Sequence, residues 1–265
     1  MPRITPPEIR ARKVTGPKIA VITAYDYPTA KMADESGIDV VLVGDSLGMV
    51  CLGYPDTVSV TMEEMLHHTA AASRGTQRAL VVADMPFLSY QVSPEEAITN
   101  AGRFLKESRA DCVKLEGGRA IAPTVERLVK AGIPVMGHIG LTPQTATALG
   151  GFKVQGRGSE EGKALLDDAR ALEEAGAFSI VIECVPAELS ASITSAIGIP
   201  TIGIGAGPGC DGQVLVIHDM VGLFDRFLPK FAKRYAEAGK LIREAIAAYA
   251  GEVRAGTFPA KEHQF

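Results

Sequence analysis

The sequence has no excess of basic residues. Its 27 lysines and arginines are outnumbered by 31 aspartates and glutamates, which gives a formal net charge of −4. Proteins that bind nucleic acids usually present a basic face or stripe. We therefore predict small-molecule substrates as its partners and no nucleic acid.

The sequence also lacks the cysteine patterns of a disulfide framework or a zinc site. Its cysteines form no C-x-x-C pair and indicate reduced thiols; they are Cys51, Cys112, Cys184 and Cys210. The first residues, MPRITPPEIRARK, contain no apolar signal-peptide core, and no apolar run approaches the ~20 residues of a membrane span. These absences predict a cytoplasmic protein that does not enter a membrane.

Eight short apolar runs rich in β-branched residues recur along the chain. Runs of this kind are typical of strands buried on both faces of a parallel sheet. They are Ala20–Ala24, Asp39–Gly44, Ala79–Ala83, Cys112–Leu115, Pro134–Gly137, Ser179–Ile182, Pro200–Ile204 and Gln213–Ile217.

Helical patterns separate these runs. Thr61 and Glu64 have the spacing of a capping box, and an apolar stripe over Lys230–Ala250 predicts a long amphipathic helix near the C-terminus. Eight strands that alternate with helices predict a closed (β/α)8 TIM barrel, with an open doubly wound sheet as the alternative. We predict one domain over residues 1–265, with a short N-terminal segment before the barrel.

Polar residues stand where the predicted strands end. In a parallel barrel these positions share the C-terminal rim, where barrel enzymes place their chemistry. Capping of the next helix is our interpretation of Asp219, but capping does not explain a lysine between buried strand residues. The rim residues are Asp45, Ser46, Asp84, Lys114, Glu116, His138 and Glu183.

Three of these rim residues form a candidate metal site. Asp45, Asp84 and Glu116 offer only hard oxygen ligands, which suit Mg²⁺. Zinc would require histidine or cysteine at ligand spacing, and the adjacent His67 and His68 diverge on a helix. The sequence therefore favours Mg²⁺ or a similar hard cation.

Two glycine-rich stretches predict loops. Gly203–Gly212 leads into another apolar run and not into a helix, so it does not fit a dinucleotide-binding fingerprint. Gly150–Gly158 has glycines at both ends and predicts either a lid over the site or a mobile surface connection.

Several motifs together resemble the ketopantoate hydroxymethyltransferase family. They include VGDSLGMV, VKLEGG, GHIGLTPQ, GGFKVQGRG and IGIGAGPGCDGQVLV, and the resemblance extends from about Ile19 to the end of the chain. It implies a (β/α)8 barrel of the phosphoenolpyruvate/pyruvate superfamily, Mg²⁺ dependence, and hydroxymethyl transfer from 5,10-methylenetetrahydrofolate to 3-methyl-2-oxobutanoate. The product would be 2-dehydropantoate, on the pathway to pantothenate. Members of the family are cytoplasmic homo-oligomers, typically decamers.

The resemblance also implies roles for individual residues. Asp45 and Asp84 match the metal-site aspartates of the family, with Glu116 as the third acid. Ser46 and Lys114 match residues that hold the keto acid, which the two aspartates also help to bind.

Two further matches carry the chemistry. His138 matches the site histidine, and Glu183 matches the proton acceptor. We expect Glu183 to remove the proton from C3 of the keto acid and a bound Mg²⁺ to stabilise the enolate. His138 would position the new hydroxyl group.

Two alternative functions remain at the level of the sequence. One is another enzyme of the same superfamily, a lyase or aldolase acting on a small oxyacid. The other is a non-catalytic barrel that serves as a binding protein, in which case the rim carboxylates and lysine would have no reason to converge.

Overall fold

The computed structural model describes residues 2–227 and 229–265. Its eight strands are all parallel and form a closed barrel in sequential order, in which the last strand pairs with the first. The predicted barrel is confirmed, and the open doubly wound alternative is wrong. The strands are β1 (Ile19–Thr23), β2 (Val40–Val43), β3 (Leu80–Asp84), β4 (Cys112–Glu116), β5 (Val135–Gly140), β6 (Ser179–Glu183), β7 (Thr201–Ile204) and β8 (Gly212–Leu215).

Helices connect most of the strands. Thr61 forms the predicted capping box with Glu64. The alternation breaks once, because only the glycine-rich loop joins β7 to β8 in the described chain. The helices are α1 (Pro6–Thr15), α2 (Tyr27–Glu35), α3 (Leu47–Val50), α4 (Met62–Gly75), α5 (Pro94–Glu107), α6 (Ala122–Lys130), α7 (Ser159–Glu174), α8 (Ala187–Ala196), α9 (Ile217–Met220) and α10 (Ala238–Ala255).

The interior of the barrel changes from apolar to charged along the strands. One buried apolar cluster includes Leu80, Val82, Cys112 and Met136 of β3, β4 and β5. Side chains two positions apart on a strand point to the same side. The next inward positions on these three strands are therefore Asp84, Lys114 and His138, which lie at the C-terminal rim.

The predicted N-terminal segment contains helix α1, which belongs to the other end of the barrel. Ile9 of α1 is fully buried in the same apolar cluster. Arg12 forms a 2.8 Å ion pair with Asp39, and Lys13 forms a 2.9 Å ion pair with Asp211. Both acids precede a strand, so α1 packs at the N-terminal ends of the strands and leaves the rim with the charged residues free.

The described chain divides into two compact units, one that ends at Val216 and one over Ile217–Phe265. The one-domain prediction stays a prediction. The second unit contains α9 and α10, and Asp219 lies inside α9, so its interpretation as a helix cap is wrong.

The predicted helix over Lys230–Ala250 begins too early. Residues 230–237 are not helical. The backbone N–H groups of Tyr235 and Ala238 donate instead to the carbonyls of Met220 and Val221 at 2.8 Å. None of the described helices has both the length and the apolar character needed to cross a membrane.

Candidate active site

The register of neighbouring strands places the predicted rim residues side by side. Asp84 on β3 is paired with Lys114 on β4, and Glu116 is paired with His138 on β5. Glu183, the last residue of β6, lies opposite the end of β5. Four adjacent strands therefore contribute one continuous row of ionisable side chains.

Three buried carboxylates converge at this rim. Asp84 and Glu116 belong to the row, and Asp45 follows β2. The candidate ligand atoms of Asp45, Asp84 and Glu116 all lie within 4.8 Å of one another. Burial, followed by repulsion from Asp84 and Glu116, raises the pKa of Asp45 well above its ordinary value. Burial also raises the pKa of Asp84, although Lys114 opposes it. Burial and mutual repulsion therefore disfavour the simultaneous ionisation of the three carboxyl groups.

The donor set of this cluster fits a divalent hard cation. The three carboxylates and the Lys114 ammonium carry a formal charge of −2 when all are ionised, which a divalent cation would neutralise. Asp84 Oδ1 is buried and lies 2.9 Å from the Lys114 ammonium, so this oxygen already faces a positive charge. Carboxylate oxygens without thiolate or imidazole partners are the ligands that Mg²⁺ prefers.

Lys114 is the positive charge at the centre of the row. Its Nζ lies 2.9 Å from Asp84 Oδ1 and 3.7 Å from Glu116 Oε1, and the side chain is buried. Burial lowers the pKa of Lys114, but the neighbouring carboxylates prevail and raise it. The ammonium therefore stays charged and is held by rim acids when no substrate is bound.

His138 links Lys114 to Glu183. Its Nδ1 lies 3.1 Å from Lys114 Nζ and its Nε2 lies 3.2 Å from Glu183 Oε2. An ammonium can only donate, so Nδ1 accepts and the imidazole proton is on Nε2, facing Glu183. Burial and Lys114 lower the pKa of His138, whereas Glu116 and Glu183 raise it and prevail. His138 Nε2 therefore faces the Glu183 carboxylate at ion-pair distance.

Glu183 has no capping role. Helix α8 begins at Ala187, and among the described residues no side chain caps it at Pro186. The carboxylate is partly exposed, with 16% of its side-chain surface accessible. Glu183 is therefore the rim acid that combines solvent access with a contact to His138.

Ser46 is held by a residue that the sequence analysis missed. The hydroxyl of Tyr25 lies 2.9 Å from Ser46 Oγ, and the Tyr25 side chain is buried. Tyr25 follows β1, so its position just beyond a strand was a usable signal. Two more residues were missed: Gln144, which contacts the carboxylates of Asp45 and Glu116, and Tyr90, which contacts Gln144 and the backbone of Glu116.

The loop over Gly150–Gly158 is attached beside Glu183. Gln155 N–H donates to the carbonyl of Cys184 at 2.9 Å. Phe152 within the loop is 58% exposed. The lid and the surface connection both stay predictions.

We expect Lys114→Met to weaken keto-acid binding by roughly 10- to 100-fold, because a hydrogen bond to a charged group contributes about 1.5–3 kcal/mol. Binding of Mg²⁺ should not weaken, since the variant removes a like charge from the cation site. Calorimetric titration with each ligand would measure both effects.

The matched control for this variant is Lys106→Met, which removes an exposed lysine of α5. It should leave both affinities unchanged. Equal losses for the keto acid and for the folate in Lys114→Met would instead identify Lys114 as a structural ion-pair partner.

The geometry defines a class of protein. A closed (β/α)8 barrel with buried acids, a lysine and a histidine at its C-terminal rim is a barrel enzyme with a candidate cation site. Two solved structures share the fold: phosphonopyruvate hydrolase in complex with oxalate and Mg²⁺ (TM-score 0.64, 14% identity, 98% of this chain and 93% of that chain) and 2,3-dimethylmalate lyase, a PEP mutase/isocitrate lyase superfamily member (TM-score 0.60, 14% identity, 98% and 92%).

The sequence comparisons identify the family within this class. The profile of ketopantoate hydroxymethyltransferase matches residues 3–261. The 3-methyl-2-oxobutanoate hydroxymethyltransferase of Syntrophobacter fumaroxidans is 62% identical over 263 residues, which cover 99% of this chain and 93% of the relative. The chain belongs to the ketopantoate hydroxymethyltransferase family, and the prediction of an enzyme of this family is confirmed.

Proposed function

We propose that this enzyme transfers a hydroxymethyl group from 5,10-methylenetetrahydrofolate to 3-methyl-2-oxobutanoate, giving 2-dehydropantoate for pantothenate synthesis. The observation that carries the proposal is the convergence of three buried carboxylates with Lys114 beside a partly exposed Glu183. The 62% identity to a relative named for this keto acid supports the substrate. The fold is also that of phosphonopyruvate hydrolase, which was solved in complex with oxalate and Mg²⁺.

In the proposed site the keto acid binds beside the three carboxylates at the C-terminal rim of the barrel. Asp45, Asp84 and Glu116 would hold Mg²⁺, which when bound supplies positive charge for the negative charge that develops on the keto oxygen. Lys114 pairs with the substrate carboxylate, exchanging one of its contacts to the rim acids. Ser46, oriented by Tyr25, donates a hydrogen bond to the keto acid.

Proton removal is the task of Glu183 in this proposal. Its carboxylate takes the proton from C3 of the keto acid, which gives the enolate. Water supplies the hydroxyl oxygen: it adds to the methylene carbon, both bonds from that carbon to the folate nitrogens break, and formaldehyde and tetrahydrofolate are formed in the site. The enolate carbon then bonds to the formaldehyde carbon, and the formaldehyde oxygen takes up a proton to become the new hydroxyl group. The Nε2–H group of His138 lies against Glu183 and orients it. A base that does not ligate the cation keeps its basicity, and Glu183 lies outside the carboxylate cluster.

The most direct test is exchange of the C3 hydrogen of 3-methyl-2-oxobutanoate in D₂O, followed by proton NMR. Exchange should require the enzyme and Mg²⁺ but no folate. Absence of exchange with a folded, Mg²⁺-loaded enzyme would refute proton abstraction at C3. Product formation with free formaldehyde but none with 5,10-methylenetetrahydrofolate would refute the folate as donor.

Binding of Mg²⁺ should depend on pH. Burial and the neighbouring acids raise the pKa of Asp45 well above its ordinary value, so at pH values below that raised pKa the cation must displace a proton from the metal-free site. The affinity should therefore rise with pH up to that raised pKa, by about tenfold per pH unit for one proton.

Calorimetry in two buffers with different protonation enthalpies would check this linkage. Different apparent enthalpies in the two buffers would reveal the released proton. An affinity that does not change with pH, together with equal enthalpies, would show that the cation displaces no proton.

We also propose that the protein acts in the cytoplasm as a homo-oligomer. This part of the proposal rests on the family resemblance, and the decamer typical of the family stays a prediction. Sedimentation analysis of the purified protein would test it.

A further inference from the structure

A buried glutamine contacts two of the three carboxylates. Gln144 lies in the short 3-10 turn Pro143–Thr145 that follows β5, and only 3% of its surface is exposed. Its Nε2 donates to Asp45 Oδ2 at 2.9 Å and to the carbonyl of Met85 at 2.9 Å. Its backbone N–H donates to Glu116 Oε2 at 3.0 Å. One residue therefore holds one oxygen of each of two candidate metal ligands.

The orientation of this amide is determined by its neighbours. Tyr90 donates its hydroxyl proton to Gln144 Oε1 at 2.8 Å, and Gln91 Nε2 donates to the same oxygen at 3.4 Å. A rotated amide would place its oxygen against the Asp45 carboxylate and its nitrogen against the Tyr90 hydroxyl hydrogen. Nε2 must therefore face Asp45.

Tyr90 ties this amide to the backbone of the metal site. Its hydroxyl accepts a hydrogen bond from the N–H of Glu116 at 3.1 Å and lies 3.0 Å from the Glu116 carbonyl. The loop after β3 turns sharply at Leu88, whose φ of 65° lies in the left-handed region. Asn100 of α5 then holds the carbonyl of Ser89 at 2.8 Å. The loop therefore holds the Tyr90 hydroxyl between the backbone of Glu116 and the amide of Gln144.

Gln144 occupies one oxygen of each of two carboxylates, Asp45 Oδ2 and Glu116 Oε2. Asp45 Oδ1 and Glu116 Oε1 are then the oxygens that these two acids can offer to a cation, and Glu116 Oε1 has the longer contacts of 3.7 Å to Lys114 Nζ and 3.5 Å to His138 Nδ1. Asp84 is held differently, with Oδ2 3.3 Å from the backbone N of Asp45 and Oδ1 2.9 Å from Lys114 Nζ. Mg²⁺ requires compact octahedral geometry with single oxygens, whereas Ca²⁺ is larger and commonly takes both oxygens of a carboxylate.

We propose that Gln144 is the positioning residue that makes this site selective for Mg²⁺, because it restricts Asp45 and Glu116 to one ligand oxygen each. This inference rests on the proposed function, which requires Mg²⁺ at these three acids. Tyr90 supports Gln144 by fixing the orientation of its amide. Neither residue contacts the cation or the substrate in this scheme.

The test compares the affinities for Mg²⁺ and Ca²⁺ in Gln144→Met. This variant keeps the chain length and the backbone N–H to Glu116 but removes the amide. Calorimetric titration of the full-length, metal-free protein with each ion needs no turnover. We expect Mg²⁺ affinity to fall by about 10- to 100-fold, the usual effect of residues that orient metal ligands. Ca²⁺ affinity should fall less, so that the preference for Mg²⁺ falls by about tenfold or more.

Two further variants complete the experiment. Tyr90→Phe should lower the preference for Mg²⁺ in the same direction but by less, and it carries the test if Gln144→Met does not fold. Thr201→Val is the matched control, because it removes buried hydrogen bonds to Thr194 and Asp211 at the opposite ends of the strands. Its ratio of the two affinities should equal that of the wild type.

The possible outcomes separate this inference from the proposed function. An unchanged ratio in folded Gln144→Met, with both affinities intact or equally reduced, would overturn the role of Gln144 alone if the wild type binds Mg²⁺ and exchanges the C3 hydrogen. A wild-type protein that binds neither ion would overturn both proposals. A lower preference for Mg²⁺ in both Gln144→Met and Tyr90→Phe would support the positioning role.

Discussion

Asp84→Asn should abolish the stabilisation of the protein by Mg²⁺ while leaving the stability of the metal-free protein close to that of the wild type. Asp84 is a central member of the carboxylate cluster, and its loss should lower Mg²⁺ affinity more than the ~10- to 100-fold of an outer-shell residue. A ligand at 100 times its Kd stabilises the native state by about 2.7 kcal/mol. This increment should disappear in the variant at the same Mg²⁺ concentration.

The stability of the metal-free variant follows from electrostatics. The pKa values of Asp45 and Asp84 are raised by burial, so the folded state disfavours their charged forms. A carboxyl group whose pKa is raised in the folded state lowers the free energy of unfolding as the pH rises from its ordinary pKa toward the raised one. Removing one of these charges should therefore cost little, even though Lys114 loses its 2.9 Å partner, because Glu116 remains nearby.

Thermal unfolding with and without Mg²⁺ would measure both effects in one experiment. The matched control is Asp168→Asn, which removes a surface carboxylate that accepts from the backbone N–H of Arg119 at 2.8 Å. The control should retain the full shift with Mg²⁺. A full shift in Asp84→Asn would exclude Asp84 from the metal site.

The sequence predicted the rim because charged residues are conspicuous at the ends of apolar strands. Asp84, Lys114 and Glu116 stand within or directly after runs of buried β-branched residues, where a charge has a high cost unless it is paired. Parallel strands in sequential order then place these residues on one rim. The barrel fold and the convergence of these charged residues at one rim could therefore be predicted from the apolar runs and their order along the chain.

Two of the missed residues, Tyr90 and Gln144, depend on backbone paths that no pattern in the sequence indicates. Tyr90 reaches Gln144 and the backbone of Glu116 from a loop that turns at Leu88 with a positive φ. Gln144 was part of a recognised motif, but its contacts depend on the turn after β5. Predicting these contacts would have required the loop geometry itself.

The C-terminal helix was predicted to begin too early, because a helical pattern in the sequence extends beyond the helix itself. The apolar stripe continues through Phe231 and Tyr235, so periodicity alone extended the helix to Lys230. In the structure the N–H of Tyr235 donates to the carbonyl of Met220, the last residue of α9, and this bond replaces a helical one. A tertiary backbone contact therefore overrides the local pattern.

The last prediction separates the base from the metal ligands. Glu183→Gln keeps the shape of the side chain but has no basic carboxylate. Because Glu183 lies outside the carboxylate cluster, Mg²⁺ and the keto acid should bind with affinities close to those of the wild type. Exchange of the C3 hydrogen in D₂O should fall by ~10² or more, the usual contribution of a positioned general base.

Two further variants make the result specific. Glu188→Gln changes an exposed glutamate in the first turn of α8 and should leave exchange unchanged. His138→Asn should lower exchange less than Glu183→Gln if the histidine only orients the base, because the carboxylate itself remains. Retained exchange in Glu183→Gln would remove Glu183 from the mechanism, and His138, whose Nε2 lies 3.2 Å from that carboxylate, would become the candidate base.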